Sequence, residues 1–493
     1  MRRHPFETYL DKVFDFPSKV GALPDSRQSP RHNGKKVFDA MFLGSACQFP
    51  SVHRIETECK RGALAKRIGF LSEDAIGYAL ERQDSGAIFT LGCDLARQLK
   101  RNGIFRSDWS RGLVVAAADG IEICSSFARS CDDCMERKVE HTVDGELREE
   151  TQYYHRICAV TIVSSAFPIP LGIRFQKNGE TEVSCTLSLL QDLLDRLGRR
   201  FIDLLVGDAL YLQTPFVVAV EDLGLDWVIN LKENQPELLA EAERLTAGPA
   251  PNRPPLDKGD LQLWHAPEVY WPVADRSVRV VKAVRTQQKK RIRVALDDEG
   301  RRRPQKEMVV EQSTNFYASN LELGNIPPVF VYQLGRSRWV IDTEVFQTIT
   351  TDGHLKKPSV HQGRGQALIV LTMIRVLAYT LTLVFFHRQV RSHFSNCSFG
   401  FCDLAQRLAY QFIVTPLPDS SCSPATIETL RTPLCGRPAL PSIFPARSLL
   451  RGLSDVFLLL QNLPALSHKA NASEINQLST LSEWVCEIAG YFT

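Results

Sequence analysis

Leu113-Val-Val-Ala-Ala-Ala-Asp119 and Phe201-Ile-Asp-Leu-Leu-Val-Gly-Asp208 are apolar runs that each close on an aspartate. A third carboxylate, Asp342, stands in Arg338-Trp-Val-Ile-Asp342, a basic and aromatic helix start. A carboxylate at the end of a buried strand is costly to desolvate and is commonly there to hold a cation. Three of them, brought together from distant parts of a chain, are what two-metal phosphodiester chemistry requires. The plainer alternatives are a turn residue before Gly120 for Asp119 and a cap for the following helix for Asp208.

Outward from these runs the hydrophobic period changes in blocks. Residues 1–40 are polar, with Pro, Arg and Lys, and read as an irregular segment. Residues 41–112 carry a helical pattern with basic clusters at Lys60-Arg61, Lys66-Arg67 and Arg97, Lys100 and Arg101, a helical domain able to grip DNA or simply to pack. Strand-like runs follow at 113–119, 155–163 and 169–175. A leucine-rich amphipathic helix over Val183–Leu197 precedes a strand at 202–208, a helix at 214–223 and a strand at 226–232. Asn234-Gln-Pro236 opens another helix with proline in its first turn. Early strands followed by alternating helix and strand describe an α/β fold with a mixed sheet, its first part spanning 113–247.

From 248 to 330 the period becomes two, which marks a β-rich insertion. Between Arg276 and Lys306 there are 12 Lys/Arg and 3 Asp/Glu, an excess of +9 in a chain of net charge +3, so the remainder sums to −6. Such a stripe, with Arg279, Lys282, Arg285, Lys289, Lys290, Arg291 and Arg293, is the electrostatic footprint of a polyanion partner. Residues 331–394 return to the core with the third acid on a helix that starts near Arg336. Residues 395–493 form a tail with Leu-rich helical pieces and no recognisable chemistry.

With 493 residues the chain suggests two to four domains, and 23% charged against 44% hydrophobic residues is the balance of a soluble globular protein. Thirteen cysteines without a secretory start point to reduced thiols in the cytosol rather than a disulfide framework. Gln366–Phe386 has the length of a membrane span, but Arg375 at its middle favours a buried core helix, so no membrane partner is expected.

Val115-Ala-Ala-Ala-Asp119-Gly, Val206-Gly-Asp208-Ala-Leu-Tyr, Lys232-Glu-Asn-Gln-Pro236 and Arg338-Trp-Val-Ile-Asp342 together, in this order and spacing, resemble the IS4-type DDE insertion-sequence transposases over about residues 40–390. The resemblance implies a ribonuclease-H-like core interrupted by the β-rich insertion. It implies two divalent cations, normally Mg2+ with Mn2+ able to substitute, held by Asp119, Asp208 and Asp342. It also implies cleavage and transfer of double-stranded DNA at terminal inverted repeats, by a homodimer in a synaptic complex of the cytoplasm and nucleoid. A metal-dependent nuclease on the same fold, or a DNA-binding relic whose acids no longer assemble, are the rival readings.

Asp342 and Glu344 compete for the third acid. On a helical wheel Asp342 falls inside the apolar arc of Trp339, Ile341, Val345, Phe346 and Ile349, whereas Glu344 lies opposite with Gln347 and Thr348. A carboxylate on the buried arc demands a partner, and Arg338 stands four residues before it. Asp342 is therefore preferred. The chain departs from the family in carrying Asp where Glu is usual. It also carries Ile349 and Thr350 where a basic residue is expected, with Lys356 and Lys357 further on.

Lys232, at a strand end before a helix, and Tyr332, Arg336 and Arg338, flanking the third acid, are candidate phosphate contacts. Trp264 and Trp271 are candidates to stack on an unpaired base. Cys131-Asp-Asp-Cys134 has the spacing of half a zinc site, whose other half would come from among Cys124, His141, His155 and Cys158. Reduced thiols without metal are the alternative.

Overall fold

The structure is a computed structural model that describes residues 4–414 apart from 144–145, 256–258, 297–301, 322–325, 358–359, 361–362, 364 and 395–399. The segment 415–493, most of the expected tail, lies outside the described residues. Six helices open the chain: α1 (Pro5–Phe14), α2 (Phe16–Gly21), α3 (Gly34–Ala46), α4 (Val52–Arg61), α5 (Glu73–Leu80) and α6 (Ser85–Arg101). Side chains of Asn33, Ser51, Ser72 and Asp84 cap the last four of these by accepting backbone N–H groups of the first turn. The first 40 residues are thus not irregular. Phe6, Leu10, Phe14, Phe16 and Val20 recur at helical spacing and are all buried, a pattern that the surrounding Pro, Arg and Lys obscure.

The sheet follows as β1 (Val115–Ser126), β2 (Met135–Val143), β3 (Glu146–Ile162), β4 (Ile169–Phe175), α7 (Glu182–Leu197), β5 (Leu204–Gly207), α8 (Thr214–Asp222), β6 (Asp226–Leu231) and α9 (Pro236–Thr246). β3 lies antiparallel between β1 and β4, and β1, β5 and β6 run parallel. The order β4-β3-β1-β5-β6, with only β3 reversed among β1, β3, β5 and β6, is a ribonuclease-H-like arrangement. The expected α/β class and mixed sheet are therefore observed. Two features differ from the sequence reading. β1 does not stop at Asp119 but continues to Ser126 along β3. The β2–β3 hairpin was not foreseen, because its charged residues hide the alternation.

The insertion adds β7 (Asp260–Trp271), β8 (Arg276–Leu296) and β9 (Arg302–Ser319), all antiparallel, with β9 returning beside β6. The basic stretch from Arg276 to Leu296 is one strand of 21 residues. β7 supports it only as far as Thr286, beyond which β8 and β9 continue as a two-stranded ribbon.

The chain then forms α10 (Pro328–Ser337), a π-helical turn over Ile341–Phe346, α11 (Gln347–Thr351), α12 (Gln366–Phe385) and α13 (Phe401–Val414). α10 starts eight residues before the expected Arg336, with proline at its first position. α12 is the one described helix long and apolar enough to cross a membrane, and most of it is buried inside this fold. Arg375 Nη1 donates to the carbonyls of His354 at 2.9 Å and Lys357 at 3.1 Å. α3, α5 and α6 pack on α12, so the amino-terminal helices and the sheet share one core.

His4 joins the two ends of the described chain. Its Nδ1 accepts the Phe6 N–H, and its Nε2 meets Gln411 Oε1 of α13 at 2.8 Å, which assigns a neutral ring protonated at Nε2. Burial is the main cause that pushes its pKa down to about 4. A histidine held neutral contributes stability that is present above its ordinary pKa of 6.5 and is lost as pH falls toward 4. Thermal melts should therefore fall between pH 6.5 and pH 4, and His4→Asn, which keeps a cap acceptor, should flatten that dependence. An unchanged slope in the variant would remove His4 as the cause.

Candidate active site

Asp119 and Asp208 arrive on one face of the sheet through strand register. Val115, Ala116 and Ala117 pair with Leu204, Leu205 and Val206, and two more steps along parallel strands align Asp119 with Asp208. Asp208 keeps extended backbone, with φ −82° and ψ 178°, although β5 has ended. In-register residues of adjacent strands point to the same side of a sheet, so both carboxylates do.

Asp342, the candidate third acid, lies in the π-helical turn that packs on β1. Arg338 Nη1 donates to Asp119 Oδ2 at 2.7 Å and to Asp342 Oδ2 at 2.9 Å, which brings those two acids together on one cationic nitrogen. Glu344 is exposed, and it is its backbone carbonyl that accepts a bond, from the Tyr379 hydroxyl. The structure thus unites Asp119 with Asp342 and leaves Glu344 apart. The wheel drawn for 339–350 assumed regular α-helix, whereas this turn is wider. π-turns recur at functional sites.

Burial, with the Asp342 charge second and Asp208 adding to it, pushes the Asp119 carboxyl up to about 7, against the lowering pull of Arg338 and the Gly120 N–H. The plainer roles are also filled: Asp119 Oδ1 accepts the Gly120 N–H and Asp208 Oδ1 accepts the Leu210 N–H, each at 2.8 Å. One oxygen of each acid is thus engaged locally. Arg338 itself is buried, and its Nε has no hydrogen-bond partner among the described residues.

Among the supporting residues, Glu182 and Arg156 lie outside the stretches quoted from the sequence, whereas Gly120, Tyr211, Asn234 and Gln235 lie within them. Glu182, at the start of α7, accepts the Tyr211 hydroxyl at 3.0 Å and Arg156 Nη2 at 2.8 Å. A Cβ on Gly120 would lie 2.5 Å from the Glu182 carboxyl, so glycine beside Asp119 is what admits this fourth acid. Asn234 Nδ2 donates to the Ala209 carbonyl at 2.6 Å, and Gln235 Nε2 to that of Leu212 at 2.8 Å. The Asn-Gln-Pro motif therefore fastens the turn that carries Asp208. The Gly after Asp119 and the Tyr after Asp208 were the available signals.

The candidate DNA contacts divide. Arg279 is buried, bonded to His265 and to the Ile326 carbonyl, and so is a framework residue. Tyr332 is buried against Tyr317, and Trp271 is fully buried with its indole N–H on Gln235; neither can meet DNA as placed. Lys282 lies over the rings of Trp264 and Phe316, and Arg285 is half-buried. Lys289, Lys290, Arg291, Arg336 and Lys232 are exposed. Lys289 pairs with Glu311 across the ribbon. The Arg293 side chain lies outside the described residues.

Residues 148–373 match the family model of the transposase DDE domain, a span that holds Asp208 and Asp342 and starts after Asp119. No curated protein matches the chain. Among solved structures it is similar to a piggyBac transposase synaptic complex with hairpin DNA, studied by cryo-electron microscopy. That similarity has 10% identity and a TM-score of 0.40, and covers 92% of this chain and 89% of the other.

Arg338→Ala leaves Asp119 and Asp342 facing each other without a counter-charge. Denaturant unfolding at pH 8 should show a loss of about 3 kcal/mol, the scale for removing one partner of a buried pair. The loss should shrink at pH 5, where Asp119 is protonated and the repulsion is relieved. An equal loss at both pH values would mean that the two acids do not share this arginine.

Proposed function

We propose that this chain is a DNA transposase of the IS4 type, cutting and joining DNA at the ends of its own mobile element. The observation that carries the reading is the meeting of Asp119 and Asp342 on one guanidinium nitrogen, with Asp208 register-aligned on the adjoining strand. The match of residues 148–373 to the transposase DDE domain supports it.

The donor set suits hard divalent cations, which take carboxylate oxygens. Arg338 Nη1 already stands as a positive group between two of the acids. Asp119, Asp208 and Asp342 would hold Mg2+, or Mn2+ in its place. Bound there, the ions would activate a water or a 3′-hydroxyl and stabilise the leaving oxygen.

The chain's own residues do the rest. Asn234 and Gln235 hold the Asp208 turn, and Glu182 with Tyr211 braces it from α7. Arg338, once the acids have another counter-ion, is free to take a DNA phosphate through its unused donors. Lys289, Lys290 and Arg291 on the outer ribbon, with Arg336 and Lys232, would neutralise backbone phosphates of the same duplex. Two element ends joined by a homodimer would complete the reaction.

A second reading rests on the same bridge. Asp342 is one methylene shorter than glutamate, and an arginine that neutralises two of the acids could hold them permanently. The chain would then be a DNA-binding relic that cuts nothing.

A cleavage and strand-transfer assay with Mg2+ or Mn2+ on DNA carrying the element ends separates these. Joined products are expected, with Asp119→Ala lower by about 10²-fold or more. Cut products without joining would favour a nuclease, and metal-independent binding alone the relic. In salt titrations of DNA binding, replacing Lys289, Lys290 and Arg291 together with Ala should weaken affinity across sequences. The log–log salt slope should become shallower by about 0.9 for each phosphate that is no longer neutralised. Weakening confined to one DNA sequence, with the slope unchanged, would remove the phosphate role.

A further inference from the structure

Away from the carboxylates, the connection from β1 to β2 folds back onto β3 and gathers three soft ligands. Cys131 Sγ and Cys134 Sγ lie 3.6 Å apart, and His155 Nε2 lies 3.1 Å from the first and 3.3 Å from the second. A tetrahedral zinc ion with Zn–S near 2.3 Å and Zn–N near 2.0–2.1 Å requires edges of about 3.8 Å between sulfurs and about 3.6 Å between sulfur and nitrogen. The three observed edges fall within about half an ångström of these values. We propose that Cys131, Cys134 and His155 bind a Zn2+ ion as its three protein ligands.

The surroundings are built for such a site. Cys134 and His155 are buried, and the Cys131 backbone N–H points at Cys134 Sγ at 3.3 Å, the bond a coordinated thiolate accepts. The cluster draws on both sides of the sheet connection: the two cysteines come from a loop, the histidine from the middle of a strand. Gly365 closes over it, since a Cβ there would meet Cys131 Sγ at 3.1 Å and Asp133 Oδ2 at 3.3 Å. His155, Asp133 and Gly365 also line a cavity of about 550 Å³, with room for a water that would take the fourth position on the metal.

The other candidates from the sequence are used elsewhere. Cys124 pairs across the sheet with His155 and stays outside the three-ligand cluster, and Cys158 Sγ donates to the Glu182 carbonyl. The His141 side chain lies outside the described residues. The Asp132 N–H donates to the Gly363 carbonyl at 3.1 Å. Metal at the cluster would thus tie the β1–β2 connection, β3 and the segment entering α12 to one point, four residues along β3 from the partner of Asp119.

The test uses the full chain, purified without chelator. Metal analysis should find about one zinc per chain, and replacing it with Co2+ should give thiolate-to-cobalt absorption. Cys131→Ser and His155→Gln should each lose most of that zinc, while Asp119→Asn keeps it. Should the variants fail to fold, alkylation of the unaltered protein gives the answer directly: zinc should protect Cys131 and Cys134, identified by peptide mass spectrometry, and chelation should expose them. Protein that binds neither zinc nor cobalt, zinc that protects other cysteines, or a Cys131–Cys134 disulfide formed in place of the metal would each overturn the site.

Discussion

The bond pair from Arg338 to Asp119 and Asp342 is the interaction on which the rest of the site depends. Two carboxylates at this separation repel, and one of them is buried, so without a shared cation they could not both remain charged. The guanidinium resolves the conflict with a single nitrogen and leaves its Nε unpaired among the described residues. A buried polar group in that state is costly in a purely structural element. It is tolerable where a ligand is due to arrive. The arrangement therefore holds acids in a geometry that the sheet alone would not stabilise.

Around that centre the structure invests in fixing backbone rather than in adding charge. Parallel register aligns Asp208 with Asp119, and the following turn is gripped through its carbonyls by Asn234 and Gln235. Glu182 is admitted by the absence of a side chain on Gly120. A cation between oxygens is sensitive to their separation. Hydrogen bonds to main-chain carbonyls help to keep that separation constant, because they fix the backbone of the turn that carries Asp208.

Much of the fold was legible in the sequence, for identifiable reasons. Long apolar runs and leucine spacing marked β1, β5, β6 and α7, because burial on both sides of a strand or along one face of a helix leaves a strong period. Arg375 in the middle of α12 marked a helix of the interior, and most of α12 is buried there. Asp342, which the sequence pattern left in need of a partner, is the acid bonded to Arg338, and Glu344 is exposed. What escaped was set by tertiary contacts. The β2–β3 hairpin is charged along its length, and the first two helices are punctuated by prolines. The fate of Arg279 and Tyr332 depends on neighbours far away in sequence: residue type alone marked them as ligands for phosphate, and packing made them framework. Of the cluster at Cys131 and Cys134, spacing supplied half; only the fold of β3 selects His155 from the remaining choices.

The outer half of the β8–β9 ribbon has no third strand and no helix laid over its paired backbone among the described residues. Its side chains from Gln288 to Arg291 and at Glu311 are exposed, so it is held by cross-strand pairs such as that of Lys289 with Glu311 and contributes little to the core. Substitutions there cost the body of the molecule almost nothing. Selection can therefore rewrite the charge and length of this arm freely while the sheet and the three acids stay untouched.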